Sequence, residues 1–154
     1  MSLTVAQYER QRDRLLKAVA DLRTGGSLLH AIARAYYLVH LTASYAAACH
    51  GVTITHMRQG QEVEIDEFTH NALSDVVSAL YSGSKRGRVS PGTTPGIVGQ
   101  LTDREASRYA DLLQRDRKDA DYGPTEVVEP YTAEQADERL KWANMLVEDL
   151  RKIL

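Results

Sequence analysis

The sequence contains one cysteine, four prolines and one phenylalanine among its 154 residues, and it has no long uninterrupted apolar run. A single cysteine excludes an internal disulfide and a cysteine-rich zinc site, and it fits a reducing compartment. The stretch poorest in charge, Ser27 to Cys49, carries too many polar side chains for a membrane span. The N-terminal segment lacks the apolar core and the cleavage site of a signal peptide. These absences predict a soluble cytoplasmic protein that is not held in a membrane.

The chain also lacks a strong excess of charge of either sign. Its net charge is -2 and its pI is near 6.2, which argues against a general basic coat for nucleic acid and leaves a local basic patch open. The five histidines form no H-x-x-x-H or H-x-H pair, so the sequence predicts neither a metal site nor a cofactor. The length fits a single domain, 1–154, with a sizeable core.

The most informative segment that is present is a helical stretch from Ser27 to Cys49, which has no proline or glycine and only one charged residue, Arg34. Apolar stripes on two sides predict that this helix lies buried at the centre of a helical bundle. A buried guanidinium cannot lose its proton, so it needs a carboxylate or an anionic ligand. Two hypotheses follow for Arg34: a salt bridge to Asp119 or Asp121, and phosphate binding.

Three other polar features have simple structural interpretations. His40 is interpreted as a core histidine with satisfied hydrogen bonds, with a role in a site as the alternative. Cys49 lies in an alanine run and is interpreted as a small buried side chain. The opposite charges that alternate along residues 103–121 are interpreted as a solvated helix face.

Four further helices are predicted from apolar residues at helical spacing and from capping residues. Helix one runs from Leu3 to Leu22, helix three opens at Asp66, helix four follows a capping box at Thr102 and Glu105, and helix five follows Thr132. Gly123 and Pro124 are expected to close helix four. Residues 51–64 are interpreted as an irregular connection, and no strand pattern is recognised. The predicted fold is therefore all-α, an up-and-down bundle of four to five helices.

The segment 82–99 stands apart because it contains five glycines and two prolines in eighteen residues. Lys85, Arg86 and Arg88 make it locally basic. Loops of this length are uncommon in compact domains and are often functional. Two interpretations stay open, a flexible solvated insertion and a contact for a phosphate backbone.

Two passages of the chain resemble a known family when they are read together. The first is Ala33-Arg34-Ala35-Tyr36-Tyr37, and the second is Arg117-Lys118-Asp119-Ala120-Asp121-Tyr122. In this order and spacing they resemble the HEPN superfamily, and within it the small stand-alone proteins with R-A-Y-Y and R-x-x-A-D-Y motifs. His70 also resembles a histidine that members carry at the start of the third helix.

The resemblance implies a HEPN-like bundle that is often a homodimer. Many members are ribonucleases that need no metal, and some are toxins encoded beside a small nucleotidyltransferase that acts as antitoxin. The catalytic signature of these nucleases is an arginine followed, after four to six residues, by a histidine. Here Arg117 is followed after four residues by Tyr122, which stands in the place of that histidine.

Two functions are therefore expected. In the first, the chain is a HEPN-like RNA-binding protein or metal-independent ribonuclease, with Arg117 and Tyr122 in the catalytic positions. The residues expected to hold RNA are Arg34, His40 and Asp121. In the alternative, it is a non-catalytic module that dimerises and binds a nucleotidyltransferase or another protein. The first function requires the R-A-Y-Y and R-x-x-A-D-Y passages to face each other across one groove.

Overall fold

Helices and one small antiparallel sheet make up the part of the chain that the structure describes. A computed structural model describes residues 3–122 and 131–154, with only the backbone of Tyr122. The helices are α1 (Val5–Thr24), α2 (Leu28–His50), α3 (Leu73–Ser82), α4 (Asp103–Tyr122) and α5 (Ala133–Arg151). The strands are β1 (Thr53–Arg58), β2 (Gln61–Ile65) and β3 (Val89–Ser90), and a short 3-10 helix spans His70–Ala72. Within these residues, no helix is long and apolar enough to cross a membrane.

Helix α2 lies at the centre of the bundle and packs against each of the other four helices. Ile32, Tyr36 and Val39 on this helix are completely buried, and burial of each such side chain contributes roughly 1.5–3 kcal/mol of transfer free energy. Helix α1 is fixed to α2 by a buried hydrogen bond between the Tyr8 hydroxyl and the Thr42 hydroxyl, 3.0 Å apart. The predicted central helix is therefore confirmed.

Side-chain caps explain where several helices begin. Thr4 accepts a hydrogen bond from the Gln7 backbone, and Thr132 forms the equivalent capping box before α5. The predicted capping box at Thr102 and Glu105 is also present. Ser27 precedes α2, but its side chain makes no capping hydrogen bond within the described residues. The predicted end of α4 at Gly123 and Pro124 lies outside the described residues.

The prediction that residues 51–64 are an irregular connection is wrong, because they form the β1–β2 hairpin. Strand β1 is the centre of a three-stranded antiparallel sheet in the order β2-β1-β3. Gln59 and Gly60 form the two-residue turn, and both have positive φ, 50° and 77°. Two positive φ values are what a type I′ hairpin turn requires. The fold is thus a mostly helical bundle with a small sheet, instead of an all-α bundle.

The start of the third helix also differs from the prediction. Residues 66–69 are not helical, and α3 begins only at Leu73, after the 3-10 helix. As a result, Phe68 lies in an irregular stretch before α3 and His70 in the 3-10 helix, and both rings lie beside α2. A second correction concerns Cys49, which is exposed instead of buried.

The segment 82–99 packs on the bundle at several points. Val89, Thr94 and Ile97 are buried, although a solvated insertion was one expectation here. The carboxylate of Asp149 holds the two residues that come after the glycine at the end of this segment. It accepts hydrogen bonds from the backbone N–H groups of Gln100 and Leu101 at 2.9 and 3.0 Å. The Tyr81 hydroxyl donates to the same carboxylate at 2.8 Å. Asp149 therefore ties the end of this segment to α3 and α5.

We expect Asp149→Ala to lower the free energy of unfolding by about 2–4 kcal/mol, because it leaves buried donors without their charged acceptor. Urea unfolding followed by circular dichroism measures the change. Glu148→Ala is the matched control, since its carboxylate is bonded on the surface to the Gln100 side chain; we expect a change within about 0.5 kcal/mol. Equal losses in the two variants would contradict this assignment.

Candidate functional site

Six side chains from three parts of the chain converge where α2, the 3-10 helix and the end of α4 meet. We call this group the Arg117 cluster. Its members are Tyr36, Tyr37, His40, His70, Arg117 and Asp121. Helix α2 supplies three of them at helical spacing, so that they lie on neighbouring sides of one helix.

Arg117 is the buried charge of the cluster, and the residue as a whole is only 5% exposed. The carbon of its guanidinium lies 5.7 Å from the centre of the Tyr36 ring and 5.8 Å from that of Tyr37. Aromatic ring faces stabilise a desolvated cation by roughly 1–2 kcal/mol. Arg117 Nε lies 3.8 Å from Asp121 Oδ2. The predicted solvated face is therefore wrong at Arg117 and at its neighbour Asp116, which is also buried.

The two family-like passages meet directly in the structure. The Tyr37 hydroxyl, in the first passage, donates a hydrogen bond of 2.6 Å to Asp121 Oδ2 in the second. Arg34 lies further out, exposed to solvent, with its guanidinium 5.6 Å from the Tyr37 ring centre. Among the described residues it forms no ion pair with Asp119 or Asp121, so the predicted buried salt bridge is wrong. The two passages are therefore in contact, and the arginine buried between α2 and α4 is Arg117.

The two histidines of the cluster are neighbours, with ring centres 4.5 Å apart. The Tyr36 hydroxyl and His70 Nδ1 are 2.6 Å apart and share a hydrogen bond. His40 Nε2 is buried and has no hydrogen-bond partner among the described residues. The interpretation of His40 as a satisfied core histidine is therefore wrong. A buried nitrogen without a hydrogen bond to the protein is costly, so packing alone does not account for this position of the ring.

Burial and the arginine together keep both imidazoles neutral. Burial, then the neighbouring His70 and Arg117, lower the pKa of His40 to about 4. Burial and Arg117 also lower the pKa of His70, while Asp121 opposes that shift. At neutral pH each ring therefore has one N–H donor and one acceptor nitrogen. Burial raises the pKa of Tyr36, so that its hydroxyl stays protonated and can donate to His70 or accept from it, according to the tautomer of the ring.

A second set of contacts, centred on the buried carboxylate of Asp116, sets the rotation of α4 about its axis. Asp116 accepts hydrogen bonds from the Tyr131 hydroxyl and from Arg139 Nε, the latter at 2.9 Å. Arg139 in turn lies over the Trp142 ring on α5, 4.4 Å from its centre. Consecutive helical residues point about 100° apart, so when Asp116 faces α5, Arg117 faces α2. These contacts therefore hold Arg117 in the cluster.

A cavity of about 340 Å³ lies close to the cluster, between the C-terminal half of α2 and the beginning of β1. Phe68 forms part of its lining, and the same ring lies 4.9 Å from that of His40. Ser44 and Thr53 contribute hydroxyl groups to the lining. Pockets of this size are large enough for a small ligand.

The chain was also compared with known proteins. No family model, curated protein or solved structure matches it. Within residues 3–122 and 131–154, no three or more His, Cys, Asp or Glu side chains are grouped so that they could hold a metal ion.

The structure brings together three of the five predicted site residues: Arg117, His40 and Asp121. Arg34 lies at the edge of the cluster, in contact with Tyr37. The backbone of Tyr122 ends α4, and its side chain lies outside the described residues. His70 was not among the predicted site residues, although its place in the sequence resembled a family histidine.

The pKa of His40 predicts a stability that depends on pH. Unfolded, this histidine has a pKa near 6.5, and folded, a pKa of about 4, so on acidification the unfolded chain takes up the proton first. The contribution of neutral His40 to the free energy of unfolding is complete above about pH 6.5. It is lost as the pH falls towards 4, and the loss is roughly 2–3 kcal/mol. Urea unfolding at pH 7 and pH 4.5 measures the loss. We expect His40→Phe to lose less stability than the unchanged protein over that interval, and an equal loss would exclude His40 as a source.

Proposed function

We propose that this protein is a HEPN-like RNA-binding protein of the cytoplasm that cleaves RNA without a metal ion at the Arg117 cluster. The observation that carries the proposal is a buried arginine beside two neutral histidines in one cluster. A guanidinium matches the geometry of a phosphate group, and imidazoles are the commonest proton carriers in catalysis. The resemblance of the R-A-Y-Y and R-x-x-A-D-Y passages to HEPN ribonucleases supports the same function.

In the proposed reaction the ribose 2′-hydroxyl attacks the adjacent phosphorus, and the bond from phosphorus to the 5′-oxygen breaks. The products are a 2′,3′-cyclic phosphate and a 5′-hydroxyl. His70, in the tautomer whose Nδ1–H donates to the Tyr36 hydroxyl oxygen, accepts the proton of the 2′-hydroxyl at its unprotonated Nε2, and protonated His40 gives a proton to the departing 5′-oxygen. Burial is the main cause of the low pKa of His40, about 4, with smaller contributions from His70 and Arg117; the negative charge of a phosphate bound beside the ring would favour the imidazolium and raise that pKa. Arg117 stabilises the charge that develops on the phosphorane.

The surroundings of the cluster suit single-stranded RNA. Arg34 is exposed beside the Tyr37 ring, and an arginine next to an aromatic ring can bind a backbone phosphate and a base face. The cavity beside Phe68 offers room for a base close to His40. Tyr122, the residue in the place of the family histidine, is expected to complete the catalytic positions.

The alternative is a non-catalytic module, and one observation favours it. Arg117 already has a carboxylate within the chain, at 3.8 Å from its Nε, so the cluster also works as a structural contact between α2 and α4. In that function the protein forms a homodimer and pairs with a nucleotidyltransferase, as the antitoxin-associated HEPN proteins do. The same partner is expected if the protein is a toxin.

Cleavage in the presence of EDTA tests the proposal. Purified protein is incubated with a mixed pool of single-stranded RNA, and the products are examined for 2′,3′-cyclic phosphate ends. We expect Arg117→Lys to lower the cleavage rate by about 100-fold or more, because lysine keeps the charge but lacks the planar fork. Arg115→Lys is the matched control, since Arg115 lies on the same helix, is 71% exposed and pairs with Asp111; it should cleave at the original rate. No cleavage by the unchanged protein would favour the non-catalytic module.

His70 provides a second test of the mechanism. His70→Gln keeps a polar side chain but cannot take up a proton, so we expect the rate to fall by about 100-fold while the melting temperature changes little. His56→Gln is the control, because His56 lies exposed on β1, away from the cluster. A His70→Gln variant that cleaves at the original rate would remove His70 from the mechanism.

A further inference from the structure

Asp121 places a carboxylate oxygen 3.8 Å from Arg117 Nε, on the arginine that the proposed function assigns to phosphate. We infer that its carboxylate is an internal substitute for the phosphate, which closes the site until RNA displaces it. This inference rests on the proposed function, because it takes Arg117 to be the phosphate-binding group. It assigns to Asp121 a regulatory role at that site, in place of direct contact with RNA.

The contacts of the carboxylate support this role. One oxygen, Oδ2, is bonded to the Tyr37 hydroxyl at 2.6 Å and lies 3.8 Å from Arg117 Nε. Charge-assisted hydrogen bonds between nitrogen and oxygen are about 2.7–2.9 Å long, so this ion pair is longer than the best geometry. A phosphate carries more oxygens and can approach the guanidinium with two of them. It can therefore be a better partner for Arg117 than Asp121 is.

The two members of the ion pair also differ in how easily they can move. The side chain of Arg117 is 6% exposed, whereas that of Asp121 is 30% exposed. Asp121 is the penultimate residue of α4, and the ends of helices open more readily than their middles. A rotation of the Asp121 side chain would carry its carboxylate into solvent while Arg117 keeps its place beside the two tyrosine rings. The arginine is thus the fixed partner and the aspartate the removable one.

The phosphate and the carboxylate cannot share the position, because like charges at this distance repel strongly. Closure by Asp121 therefore lowers the apparent affinity for phosphate. The apparent affinity equals the affinity of the open form multiplied by the fraction of molecules that are open. The Tyr37 hydroxyl holds the carboxylate in the closed position. Tyr37 also lies under the exposed Arg34, so RNA that binds at Arg34 arrives beside the residue that holds the site closed.

Inorganic phosphate is the probe for a direct test, with Arg117 Nε–H followed by NMR during the titration. We expect Asp121→Asn to bind phosphate about tenfold more tightly or better, since it removes the competing charge and keeps the shape. Asp119→Asn is the matched control, because Asp119 is exposed on the same helix and the substitution removes the same charge. Its affinity should equal that of the unchanged protein. Tyr37→Phe should give a smaller gain, because the carboxylate stays but loses its hydroxyl partner.

The outcomes separate this inference from the proposed function. Tighter binding in Asp121→Asn that disappears when Arg117→Lys is added supports the inference, whether or not RNA is cleaved. An affinity of Asp121→Asn equal to or below that of Asp119→Asn overturns it, even if cleavage depends on Arg117. Thermal melting of each variant shows whether the fold is kept, and a gain in affinity cannot come from unfolding.

Discussion

The burial of one guanidinium constrains this structure more than any other single interaction. Arg117 is held among tyrosine rings and faces Asp121, and a charge can be buried only where such partners compensate for the lost hydration. Those partners come from α2 and from the last turn of α4. The two helices must therefore meet in one register and at one rotation. The Asp116 contacts to α5 fix that rotation from the other side.

Much of the helical architecture can be predicted from the sequence because its signals are local. Threonine caps mark the starts of α1 and α5. The segment that forms α2 is buried because most of its side chains are apolar. The hairpin was missed because its turn is Gln59-Gly60. The usual turn signal is Asn-Gly or Asp-Gly, in which both residues adopt positive φ readily. Glutamine takes that conformation here because the two strands pair across it.

The candidate site was predictable as a meeting of two passages but not in its details. The order of the motifs indicated that α2 and the end of α4 face each other, and the bond from Tyr37 to Asp121 shows that they do. Which arginine is buried depends on the relative rotation of the helices, and a single helix pattern does not contain that information. Arg34 therefore faces out and Arg117 faces in. His70 joins the cluster from the 3-10 helix, because α3 starts at Leu73, seven residues after the predicted start.

The exposed position of Cys49 has a practical consequence. It is the only thiol of the chain, and it lies one residue before the end of α2, the helix that also carries Tyr36, Tyr37 and His40. A spectroscopic label attached there would occupy a unique and rigid point, a few helical turns from the Arg117 cluster. Distances between labels on two copies would then report how an assembly places one groove relative to the other.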